Sequence, residues 1–277
     1  MSLTAGLFNS GIFNVGLFNG GIFNKPSTLS LESLFSNGEA GVLCLPLDLS
    51  MLWQDTAGTV PATAAGQLVA RIDDKSGNGN HCIQATTSAQ PALQQTAGGL
   101  WYLAFDGIED LASTAAATVT GVGDSFFAAL GVRGDALTGY AALRQMFGIY
   151  KSSVSLSGFW MRISSFGRCT FGVRYSGESL TLGPLDNSSL TDLEPHVVAG
   201  GYDGSVIYNR TDGAELTPPT ARTPTANEAG YFIIGSTDIA APYSFFGGLY
   251  VVTDSISPEM ISLAEQTIAD LCGVTLH

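Results

Sequence analysis

From about residue 41 onward, apolar positions fall in short β-branched and aromatic runs bounded by Gly, Asp, Asn and Pro. Strands joined by tight turns have this pattern, and helices do not. The clearest stretch is "HVVAGGYDGSVIYNRTDGAEL", residues 196–216, where two strand-like runs flank Asp203-Gly204 and the second ends at Asp212-Gly213. Asp-Gly dipeptides supply the positive-φ positions that hairpin turns require. "GYFIIG" (230–235) and "FFGGLYVVT" (245–253) repeat the pattern. Further strands are expected at 101–105, 125–132, 159–163 and 169–175. The spacing predicts an all-β fold, a sandwich of two antiparallel sheets.

One segment near the end has helical periodicity instead. Ser257 can cap it, Pro258 suits the first helical position, and Glu259 favours the positive end of the dipole. Ile261, Ala264, Ile268 and Leu271 share one face, and Gly273 can close the last turn. A single amphipathic helix after a run of strands is expected to dock on the sandwich.

The first 24 residues follow neither period. "GLFNSGIFNVGLFNGGIFN" (6–24) contains four copies of Gly-Leu/Ile-Phe-Asn spaced five residues apart. Such a period resembles that of pentapeptide-repeat proteins, whose square β-helix would place Phe8, Phe13, Phe18 and Phe23 inside, with Gly6, Gly11, Gly16 and Gly21 at the small inner position. Here Asn follows the central residue, whereas that family has Asp or Asn before it. About one coil is too little to bury a core, because repeat architectures need several neighbours. The side chains of Leu7, Phe8, Ile12, Phe13, Leu17, Phe18, Ile22 and Phe23 would then be exposed on a monomer, and patches of that kind mark interaction sites. Two routes cover them: a hydrophobic plug shared by several copies, or insertion into another protein. The expected organisation is an attachment or oligomerisation segment at 1–27, a connector at 28–40 and the sandwich at 41–277.

Composition narrows the partners. The 277 residues are 45% apolar and only 13% charged, with 34 glycines, which fits many turns around a substantial core. No apolar run approaches the roughly 20 residues of a membrane span. There is no basic residue before Lys25, and Asn or Gly interrupts the early apolar run, so no signal peptide is expected. The net charge is −13, and the three lysines and eight arginines are scattered singly. Neither nucleic acid nor an anionic membrane is an expected partner. Cys44, Cys82, Cys169 and Cys272 lie far apart and read as buried, reduced thiols.

Candidate chemistry is sparse. A glycosidase on a sandwich needs two carboxylates on one strand face, and no Glu-x-Asp-x-Glu-like pattern occurs. Glu109 and Asp110 are adjacent and would point to opposite faces, so no catalytic residue and no enzyme activity are expected. His81, His196 and His277 lack neighbouring ligands at metal spacing, and no metal site or cofactor is expected. The oxygen-rich turn residues Asp73, Asp74, Asn78, Asn80, Asp106 and Asp110 are the candidates for a calcium or glycan loop. Turn geometry alone also accounts for them and is the favoured reading. Platforms for sugar stacking would come from Trp53, Trp101, Trp160, Tyr140, Tyr150 and Tyr243, of which Trp101 and Trp160 read as core.

Several stretches together resemble the laminin-G-like, concanavalin A-like domains of bacteriophage structural proteins. "DLSMLWQDTAGTVPATAAGQLVARIDDKSGNGNHCIQATTSAQPAL" (48–93) is similar to that family's opening, and "LAFDGIEDLAST" (103–114) to its "F-D-G-x-D-D-x-L" segment. The Asp-Gly hairpins, the "IIG…FFGGLYVV" pair and the terminal Ser-Pro-Glu helix follow in matching order over 41–277. Leu43-Cys44-Leu45-Pro46 departs from the aromatic and acidic residues that relatives carry there. The resemblance implies a two-sheet jelly-roll sandwich and a virion protein, a tail or head fibre, spike or decoration subunit assembled in the host cytoplasm. Residues 1–27 would dock on other virion proteins, and the sandwich would project and bind a neutral host polysaccharide. A homo-oligomer is expected, a trimer by analogy with phage fibres. The alternatives are a free carbohydrate-binding module and, behind it, a glycoside hydrolase.

Overall fold

The computed structural model describes residues 30–106, 111–114, 125–134, 144–150, 158–163, 169–174, 181–184, 190, 193–222, 230–235, 242–253 and 256–277. The Gly-x-Phe-Asn repeats, Asp110 and Tyr140 lie outside them.

The described chain begins with a short 3-10 helix, Leu31–Phe35, followed by β1 (Gly41–Cys44), β2 (Leu52–Trp53), β3 (Arg71–Ile72) and β4 (Cys82–Ile83). Next come β5 (Ala92–Gln95), β6 (Trp101–Asp106), β7 (Leu111–Thr114), β8 (Phe126–Gly134) and β9 (Arg144–Tyr150). They are followed by β10 (Gly158–Ile163), β11 (Cys169–Arg174), β12 (Thr181–Leu182), β13 (His196–Tyr202) and β14 (Val206–Thr211). The short β15 (Ala214–Glu215) and β16 (Thr220–Ala221) precede β17 (Tyr231–Gly235), β18 (Pro242–Val252) and the helix α1 (Pro258–Cys272).

These strands make two antiparallel sheets. The first runs β15-β14-β13-β8-β18-β6-β5, and the second β12-β11-β10-β9-β17-β7-β4-β3-β2. The 11-residue β18 serves two partners along one edge, β6 through Pro242–Phe245 and β1 through Gly248–Val251. A bulge between Phe245 and Gly247 marks the change, as expected where a strand must re-aim its side chains. The expected all-β sandwich with one C-terminal helix is therefore the observed fold. No helix among the described residues is long and apolar enough to cross a membrane.

The sheets enclose an aromatic core. Phe126 of β8 and Tyr250 of β18 stack on Phe159 of β10 at centroid distances of 4.6 and 4.9 Å. Phe147 meets Phe232 edge-on at 4.5 Å, and Phe105 stacks on Tyr243 at 4.7 Å. Such pairs add roughly 0.5–1.5 kcal/mol each beyond their buried area.

A second apolar layer covers the outer face of the first sheet. In β8, Phe126, Ala128 and Leu130 face the other sheet, whereas Phe127 and Ala129 face α1, so the strand reads as a continuous apolar run. The helix forms as its sequence predicts: Ser257 Oγ accepts from Met260 N at 3.3 Å, and Gly273 adopts φ 75° at the C-cap. Its buried seam is Ala264, Glu265, Ile268, Ala269 and Cys272, rotated from the expected face so that Ile261 and Leu271 lie at its half-buried margins. The rotation has two causes. Arg210 of β14 offers Glu265 a two-point contact, Nε to Oε1 at 2.7 Å and Nη2 to Oε2 at 3.1 Å. Gly131 of β8 lets the helix come close: a Cβ there would sit 3.1 Å from Ile268 Cγ2 and 3.2 Å from Cys272 Sγ. The segment expected as a connector contributes Leu31, Leu34 and Phe35, all buried in the same layer.

Gly131→Val would drive a branched side chain into this seam. It is expected to cost about 2 kcal/mol, seen as a lower urea midpoint with an unchanged slope.

Candidate functional site

Among the described residues, two places gather polar chemistry. The first is the loop from Asp73 to His81, which joins the paired strands β3 and β4. Gly77 and Gly79 have φ of 88° and 72°, which lets the chain reverse tightly around Asp74. Asp74 Oδ1 accepts from Leu43 N and Ser76 N, both at 2.9 Å, and Oδ2 accepts from Ser76 Oγ at 2.7 Å and Asn80 N at 2.9 Å. Asn80 Nδ2 donates to Gly41 O at 2.8 Å, Asn78 Nδ2 donates to Glu39 O at 3.0 Å, and Lys75 N donates to Leu43 O at 2.9 Å. The loop belongs to the second sheet, yet its bonds go to β1 of the first. It stitches one edge of the sandwich together.

Asp73 is similarly engaged. Its Oδ2 accepts from the Trp53 indole at 2.8 Å, and its Oδ1 lies 2.6 Å from Arg71 Nε and 3.0 Å from His81 Nδ1. Below the loop, the Lys75 ammonium and the Ser50 hydroxyl both bond Asp48 and hold its carboxyl below the ordinary aspartate range. Asp73, Asp74, Asn78 and Asn80 are thus brought together, while Asp106 ends β6 in the other sheet. Among the described residues, no group of three or more His, Cys, Asp or Glu is placed to hold a metal ion.

The expected aromatic platforms are mostly enclosed. Trp160 and Tyr243 are fully buried, and the Tyr243 hydroxyl donates to Met146 O at 2.6 Å. Trp101 packs half-buried against the core, and Trp53 is half-buried with its indole on Asp73. The four cysteines are buried, as thiols outside any disulfide. Cys44 and Cys82 meet between the sheets, and the hydrogen bond between them, then burial, raises the Cys44 thiol well above its usual value.

The second place is a cleft of about 280 Å³ between the start of α1 and the β13–β14 hairpin. Its apolar walls include Val206, Pro219, Ile256 and Ile261, and its polar groups include Asp203, Tyr208 and Glu215. The hairpin turn positions Asp203, whose Oδ1 accepts from Ser205 N and Val206 N, each at 2.8 Å. Strand alternation turns Tyr208 to the helix side, with its hydroxyl over Gly201, where a Cβ would lie 3.0 Å from it. That hydroxyl has no hydrogen-bond partner among the described residues. Burial, then the nearby Asp203 charge, pushes the phenol pKa up, so Tyr208 remains a neutral donor at physiological pH. Glu215 is exposed, with Arg210 Nη1 at 3.5 Å as its ion-pair contact. A second depression of about 220 Å³ shares Thr253 and Ile256 and opens toward Leu34 and Met260. Hydrogen-bonding groups above apolar walls are the usual make-up of small-ligand sites. Sequence reading missed Tyr208. The available signal was the alternation of Val206, Tyr208 and Arg210, whose arginine marks that face as partly open.

No family model matches the chain, and no curated protein matches it. Solved structures match its fold. The binding domain of botulinum neurotoxin DC, solved with rat synaptotagmin II, superposes with a TM-score of 0.56 at 10% identity, over 86% of this chain and 52% of that one. Botulinum neurotoxin type C, whose cell entry is dependent upon interaction with two ganglioside molecules, gives 0.55 at 10% identity, over 85% of this chain and 52% of that one. Trypanosoma rangeli sialidase gives 0.52 at 10% identity, over 84% and 33%. The chain therefore spans about half the length of the toxin chains and a third of the sialidase. At such identities the likeness is one of fold.

Asp74→Ala removes four accepted hydrogen bonds and leaves buried amides of β1 and of the loop without partners. A loss of about 3 kcal/mol is expected, read from chemical denaturation.

Proposed function

We propose that this protein is a virion-borne binding module: residues 1–27 attach it to a phage particle, and the sandwich is held outward to engage a host-surface glycan. One observation supports this reading above the others. A sandwich whose core and helix layer are closely filled is joined to a repeat segment whose eight large apolar side chains need a partner. The resemblance of the sequence to phage structural proteins supplies the setting, and the lectin-like fold supplies the binding role by analogy. A free carbohydrate-binding module is the second reading; the sandwich and its cleft favour it equally, but it leaves the repeats without a role.

The virion reading predicts that the protein is present in purified particles and that deletion of residues 1–27 abolishes its incorporation. Light scattering separates the two attachment routes. A defined oligomer, expected as a trimer, that becomes monomeric on deletion identifies a plug shared between copies. A monomer in both forms places the partner on another virion protein. Absence from particles together with glycan binding would replace this reading with the free module.

A further inference from the structure

We propose that the cleft between α1 and the β13–β14 hairpin is a saccharide site and that its ligand is an uncharged sugar ring with neighbouring hydroxyls. This rests on the reading of the sandwich as a glycan-binding module and names the site and ligand class within it. At about 280 Å³, the cleft lies at the small end of the roughly 300–1,000 Å³ typical of ligand pockets. A single ring is a ligand of matching scale.

Its polar groups are available rather than spent on the fold. The Tyr208 hydroxyl has no partner among the described residues. Both amides that bond Asp203 go to Oδ1, which leaves Oδ2 to accept from a ligand. Arg210 reaches Glu215 only through Oε2 at 3.5 Å, which leaves Oε1 open. A neutral phenol donor and two carboxylate acceptors match hydroxyls that both accept and donate. Val206 and Ile261 supply an apolar wall for the C–H face of the ring.

Charge then selects among sugars. Asp203 and Glu215 both line the cleft. The nearby guanidinium of Arg210 is committed to Glu265 at 2.7 Å. A sialylated ring would bring a third carboxylate into this field, and like-charge juxtaposition is costly when partly desolvated.

Saturation-transfer NMR and titration of the full chain with methyl glucoside, methyl galactoside, methyl mannoside, methyl sialoside and methylamine test the proposal, with Tyr208→Phe alongside. Neutral glycosides are expected to bind, and the sialoside and methylamine are not. Tyr208→Phe deletes a hydroxyl that bonds nothing among the described residues, so its melting temperature is expected to stay unchanged while affinity falls about tenfold, the equivalent of one hydrogen bond. Glu215→Gln is expected to narrow the gap between neutral and sialylated ligands. Unaltered glycoside binding by Tyr208→Phe would overturn the site and leave the glycan-binding reading standing. Preference for the sialoside or methylamine would overturn the ligand class. If no saccharide binds, whether in the titrations or on a broad glycan array, both readings fall together.

Discussion

Both faces of the first sheet must be kept from water, and most of the architecture follows from that requirement. β8 and β18 present large apolar side chains on each side, so the second sheet alone cannot satisfy them. The helix and the turn at Leu31–Phe35 supply the second cover. Exposing Phe127, Leu249 and Ile268 of that layer would alone cost roughly 1.5–3 kcal/mol each, against the roughly 5–15 kcal/mol that holds a typical domain folded. The outer layer is therefore part of the fold.

Covering a sheet with a helix brings its own difficulty, since a helix carries polar groups on most of its circumference. Glu265 lies at the buried seam with 2% of its surface exposed. Arg210 meets it with a two-point contact and also donates to Gly213 O at 2.6 Å. A buried pair of this type gives little net stability while both partners remain, and costs several kcal/mol when one is removed. Its main effect here is on rotation: it selects which face of α1 meets the sheet. That rotation leaves Ile261 and Ile256 at the rim, where with Tyr208 and Val206 they frame the cleft. The cleft is thus a product of how the helix docks.

The loop at Asp73–His81 illustrates a general ambiguity of turn residues. Asp and Asn serve ligand sites and tight turns equally well by composition. What separates the uses is where the oxygens and amides point. Here Asp74 turns both oxygens to protein donors, and Asn78 and Asn80 donate to the chain around β1. Asp203, in another turn, takes both amides on one oxygen and leaves the other unbonded among the described residues. The first arrangement stitches two sheets together and the second equips a cleft, although the residue type is the same.

Local physics made much of this protein legible. The Asp-Gly turns, the alternation in β13 and β14, and the helix with its Ser257 cap and Gly273 stop depend on a few neighbouring residues, and each formed where the sequence places it. Burial of Trp160 and the continuous apolar run of β8 follow from composition in the same way. Other features depended on contacts between segments far apart in sequence. Pairing of β1 with β18 joins residues about two hundred positions apart, and no local pattern encodes it. Tyr243 looked available for stacking because its exposure is set by β9, whose Met146 carbonyl takes its hydroxyl. Tyr208 looked like an ordinary strand residue because its cleft exists only after α1 has docked. Sequence by itself determined the turns, the strands and the capped helix, since these are decided within a few residues along the chain. Only the tertiary structure decided which polar atoms remained unspent, because that depends on the partner each one meets across the fold.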